Sequence, residues 1–71
     1  MNYTEQAKIL FDEWERDKSD IQTFPRRKAG FTNRLRNLYQ KLDVNNPEHS
    51  QAIVYLDVVA VRSGIEIERG I

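Results

Sequence analysis

The chain of 71 residues contains no cysteine and a single histidine, His49. That rules out disulfide staples and the Cys/His sets that hold structural zinc. Glycine occurs three times and proline twice, so no glycine-rich loop is available to cradle phosphates and no glycine-framed elbow to present a nucleophile. No apolar run approaches the roughly 18 residues of a membrane span. The opening Met1-Asn2-Tyr3-Thr4-Glu5 lacks the basic start and apolar stretch of a secretory signal. A cytoplasmic location without a membrane partner is therefore expected. There is also no internal repeat and no low-complexity stretch.

What is present is a globular composition, 39% hydrophobic and 31% charged. At this length the expectation is a single domain over residues 1–71. Such a chain buries only about 60% of its unfolded surface, so its stability is marginal. With no staple available, well-packed helices or self-association must supply the rest.

The net charge is zero, but it is laid out in blocks. Residues 1–20 hold six acids and three bases, a net of −3. Residues 21–45 hold six bases and one acid, a net of +5. Residues 46–71 hold four acids and two bases, a net of −2. This acid–base–acid order is the most informative global feature of the chain.

Hydrophobic spacing predicts a first helix over residues 3–18, capped by Asn2 or Thr4. Tyr3, Ala7, Leu10, Phe11 and Trp14 form its apolar stripe, Ile9 falls off it, and Asp12 and Arg16 are spaced for an ion pair. Residues 19–25 read as a connection, because Pro25 pushes Phe24 toward an extended conformation; Ile21 and Phe24 should tuck this loop onto the core. A second helix is predicted over residues 26–42, with Phe31, Leu35, Leu38 and Leu42 within about 60° of one another and Tyr39 on the flank. Asp43-Val44-Asn45-Asn46 breaks the pattern. Asn46-Pro47-Glu48 then offers a cap, a pre-set φ and an acid for the next helix start.

The third segment, from residue 47 to about 61, is predicted helical with Ile53, Leu56 and Ala60 on one face, ending after Arg62 where Gly64 can adopt the left-handed cap. Val54, Val58 and Val61 fall on a different face. The fold expected is an all-α, three-helix domain with a short extended C-terminal tail. The alternative is α+β, two helices and a C-terminal β-hairpin, because Val58-Val59-Ala60-Val61 is β-branched and Ile65-Glu66-Ile67-Glu68 alternates.

The residues carry little chemistry. His49 and Ser50 are sequence neighbours, but adjacent helical residues point about 100° apart, and His49 reads as a solvated first-turn residue. Glu13, Asp17 and Asp20 crowd the end of the first helix beside Arg16 and Lys18, with no second cluster to complete a magnesium or acid–base site. Asp43-Val44-Asn45 opens like a calcium loop but lacks its glycine and closing glutamate. The expectation is no catalytic residue, no metal and no cofactor.

The basic block remains. Arg27, Gly30, Arg34, Asn37 and Lys41 step at three- and four-residue intervals into one polar stripe beside the apolar face. Gly30 there would let another backbone approach closely. Such a stripe suits an acidic protein patch or phosphates, unless the acidic first helix neutralises it internally. A helix-turn-helix reading fails on the would-be recognition helix, which opens Pro47-Glu48-His49-Ser50-Gln51 with an acid and no arginine or lysine. A third helix apolar on two faces points to a homodimer seam or a docking surface. The residues expected to touch a partner are Arg27, Arg34, Asn37 and Lys41, with Tyr55 as an exposed aromatic and Val58. The function expected is a non-catalytic regulatory or adaptor protein that binds a protein with an acidic patch, as a homodimer through its third helix; the alternative is nucleic-acid binding through the second helix.

Overall fold

A computed structural model describes residues 2–67. It shows three α-helices, α1 (Tyr3–Thr23), α2 (Pro25–Lys41) and α3 (Ser50–Ser63), with a short 3-10 turn at Pro47–His49 leading into α3. No strand occurs among the described residues. The all-α expectation holds, and the β-hairpin alternative does not. The elements α1 and α2 meet along one side and α1 and α3 along the other, whereas α2 and α3 touch only narrowly. So α1 is the shared member of the bundle.

Asn2 caps α1, its side-chain oxygen accepting the Glu5 N–H at 2.8 Å. Ala7, Leu10 and Trp14 are buried, and Tyr3 and Phe11 pack at the margin. This helix runs five residues beyond the predicted end, through Thr23. The proline constrains only the residue before it: Phe24 is extended (φ −102°, ψ 110°) and serves as both the C-cap of α1 and the N-cap of α2. Residues 19–23 remain free to extend the helix, and Ile21, two turns beyond Trp14, extends its stripe into the core. Phe24, expected on the core, is instead 53% exposed. Non-helical dihedrals at Asp17 (φ −114°, ψ 17°) kink α1.

In α2, Phe31, Leu35, Leu38 and Tyr39 are buried and Leu42 packs against them. The link to α3 is a dense polar turn. The Asp43 side chain accepts the Asn45 N–H at 2.9 Å, and its carbonyl accepts the Asn46 N–H at 3.0 Å. Asn46 in turn accepts the Glu48 N–H at 3.0 Å.

The buried face of α3 is Ala52, Leu56 and Val59. It is rotated by roughly 60° from the predicted Ile53/Leu56/Ala60 face, at 100° per residue. The reason lies in the contact with α1, which draws Tyr55 onto Phe11 and Arg62 onto Glu15. Gly64 takes the left-handed cap (φ 73°) and turns the chain back, so that Ile65 is buried and Ile67 packs on the core. The tail is fixed to α2 by Arg36, whose Nε donates to the Glu66 carbonyl at 3.1 Å. Residues 65–67 thus pack on the core and are bonded to α2.

Candidate functional site

The polar stripe of α2 lies beside α1, and its two halves have different fates. Arg34 forms a two-pronged ion pair with Glu13, at 3.1 and 2.5 Å, while its guanidinium stands 5.8 Å from the centre of the Phe31 ring. Arg27 reaches Asp17 at 3.4 Å and Asp20 at 3.9 Å. Asp17 also faces Arg16 at 3.4 Å. The hydrogen bond from Arg16, with the Arg27 contact adding to it, holds the Asp17 carboxyl below the ordinary aspartate range. Arg16 therefore pairs with Asp17 and not with Asp12, one turn away. The acids of α1 have neutralised the N-terminal half of the stripe.

The C-terminal half is open. Asn37 and Lys41 line a groove of about 270 Å³ between α1 and α2, together with Arg34, Leu38, Gln6, Ile9 and Leu10. Lys41, Arg26 and Lys28 have no ion-pair partner among the described residues. Ile9 stands in the groove 51% exposed, with buried Leu10 and Leu38 beneath. Ile9 lies off the apolar stripe of α1 and was not among the residues expected at a site. Its signal was positional: Gln6, Ile9 and Glu13 step at three- and four-residue spacing, so they share the side of α1 that faces α2. Gly30 meets no backbone; the position its Cβ would occupy is open space.

Two expectations about other residues need correction. Tyr55 is half-buried, not exposed, because its ring packs on Phe11 at 5.3 Å between centroids. Val58 is half-buried on the outer side of α3, beside Asp57, Val61 and Arg62. Arg62 pairs with Glu15 and ties α3 to α1. The structure thus brings Arg34, Asn37 and Lys41 to one groove and leaves Tyr55 and Val58 on a separate helix.

His49 is half-buried and structural rather than a solvated first-turn residue. Its Nδ1 accepts the Asp43 N–H at 2.9 Å, and its ring meets Tyr3 edge-on at 5.1 Å. It thereby joins the exit of α2 to the start of α1. A neutral imidazole has one acceptor nitrogen, and this bond occupies it. The hollow that His49 lines with Asn2, Tyr3, Thr4 and Glu48 is broad and open. Among the described residues no group of three His, Asp or Glu side chains could hold a metal ion, and no helix is long and apolar enough to cross a membrane.

Comparison of the chain with family models, with curated proteins and with solved structures returns no match.

Proposed function

We propose that this chain is a non-catalytic, protein-binding domain of the regulatory or adaptor kind, which docks an acidic segment of another protein in the α1–α2 groove. The observation that carries this reading is the composition of the groove. Ile9 offers an apolar anchor point over Leu10 and Leu38, while Lys41 and Asn37 supply a cationic and an amide donor along one wall. An apolar centre with a charged rim is the arrangement that protein interfaces use, and the cations give orientation and rate more than raw affinity.

Nucleic acid is the weaker reading for a specific reason. Phosphate binding draws on every cation of a stripe, and here Arg27 and Arg34 already face carboxylates of α1. What stays open is Lys41 beside the exposed isoleucine, with Arg26 and Lys28 at the opposite end of α2, so no continuous row of open cations remains for a phosphate chain.

The test is a titration of isotope-labelled protein with a peptide of glutamate and leucine, followed by amide chemical shifts. Shifts should concentrate at Gln6, Ile9, Asn37 and Lys41. Lys41→Glu and Ile9→Asp should each weaken binding by about tenfold, equivalent to roughly 1.4 kcal/mol. Both positions are solvent-facing, so the fold should survive. Shifts scattered over the surface, or an equal and more steeply salt-dependent response to a single-stranded oligonucleotide, would sink the proposal.

A further inference from the structure

A second apolar strip runs along α3, on the side away from its core face. Val54 is 53% and Val61 83% exposed, with Val58 half-buried between them. A shallow groove lined by Asp57, Val58, Val61 and Arg62 follows the strip. The steps from 54 to 58 to 61 are four and three residues, the spacing of a heptad seam. In that frame Gln51 and Val58 occupy the a positions, and Val54 and Val61 the d positions. Asp57 then falls at g and Arg62 at the following e.

We propose that this strip binds a second copy of the chain, with the two α3 helices parallel about a two-fold axis. Like layers meet across the axis: Val54 on Val54, Val58 on Val58, Val61 on Val61. The occupant and the direction both follow from charge. Parallel pairing sets the g residue of one helix against the following e residue of the other, so Asp57 of each copy faces Arg62 of the other, twice over. One acid and one base on a single chain satisfy both halves, as an interface between identical surfaces requires. Antiparallel pairing sets g against g and e against e, which brings the two Asp57 carboxylates together. Arg62 can serve two carboxylates, its own Glu15 and the incoming Asp57, because a guanidinium carries five donors, and a carboxylate accepts at about four sites, so the contact Asp57 already makes within its own chain leaves room for the new one.

The seam is short. It spans about two turns of helix, well below the roughly 800 Å² per partner of a standard stable interface. The dimer therefore forms weakly, with a dissociation constant on the order of 100 μM. This contact lies on a different helix from the α1–α2 groove and stands whether or not that groove binds a peptide.

Sedimentation equilibrium of the intact chain from about 10 μM to about 1 mM tests the association. The mass should climb from monomer toward dimer. Val61→Glu should weaken dimerisation by at least about tenfold, and at 83% exposure this residue contributes nothing the monomer needs, which circular dichroism can check. Orientation is tested by a single cysteine, made clean by the absence of any other. In a parallel seam Val61→Cys brings two thiols within disulfide reach, a Cα separation of about 4.4–6.8 Å. It should crosslink under mild oxidation at least about tenfold faster than a Val44→Cys control, also at an exposed position. A monomer throughout the concentration range overturns the proposal. Dimerisation that ignores Val61→Glu also overturns it, and a dimer whose Val61→Cys form crosslinks no faster than the control overturns the parallel arrangement.

Discussion

Asp17 shows how much one side chain can do in a domain of this size. It sits at the kink of α1 and receives Arg16 and Arg27, and the hydrogen bond from Arg16 is the larger reason that its carboxyl titrates below the ordinary range. A carboxyl depressed in the folded state stabilises the fold above its unfolded value of about 3.9. That stability is lost as pH falls through the lower, folded value. Asp17→Asn should therefore lower the melting temperature at neutral pH. The gap between variant and parent should narrow steadily below about pH 4, when both are followed by circular dichroism. A gap that stays constant down to pH 2 would show that the carboxylate charge is not the cause. Glu13 and Arg34 are a different matter, because their pair is largely exposed on the arginine side and exposed pairs contribute at most about 1 kcal/mol.

At the scale of the element, the two described glycines make opposite predictions. Gly30 lies in the interior of α2 with open space where a Cβ would go. Gly30→Ala should stabilise the protein by about 0.5–1 kcal/mol through the entropy it removes from the unfolded chain. Gly64 is at φ 73°, where an L side chain costs roughly 1–2 kcal/mol, so Gly64→Ala should destabilise by about that amount. Urea titrations of the two variants decide both signs. The helices themselves were largely legible in the sequence. The stripes of α1 and α2, the Asn46-Pro47 start and the Gly64 stop are local features, and local physics determines them. Three features were not legible. Residues 19–23 are helical because the proline restricts Phe24 alone. The burying face of α3 turned because Tyr55 and Arg62 dock on Phe11 and Glu15 of α1, contacts no helical wheel contains. Of the candidate site, the α2 stripe was readable, but its division was not: which cations stay open depends on where Glu13, Asp17 and Asp20 land once α1 has packed beside them.

For the whole molecule, the arrangement around α1 places unusual weight on the tail. Helices α2 and α3 have little direct contact, and residues 65–67, which follow α3, pack on the core and bond to α2. Ile65→Ala should cost about 2–4 kcal/mol, a large share of the roughly 4–10 kcal/mol expected for a chain of this length. Arg36→Gln, which removes only the bond to the Glu66 carbonyl, should cost about 0.5–1.5 kcal/mol. Comparable losses for the two in urea unfolding would mean that the tail is held by its hydrogen bond and not by its buried isoleucine. The same arrangement gives one of the contacts of α1 a light signal of its own. Trp14 is the only tryptophan, is 2% exposed, and stands 6.0 Å from Phe31 across the α1–α2 contact. Its emission follows closure of the helical hairpin whose arms are joined by Phe24 alone. Phe11 meets Tyr55 across the other contact, between α1 and α3, so the one tryptophan stands at the first contact and the second carries only the fainter light of a tyrosine.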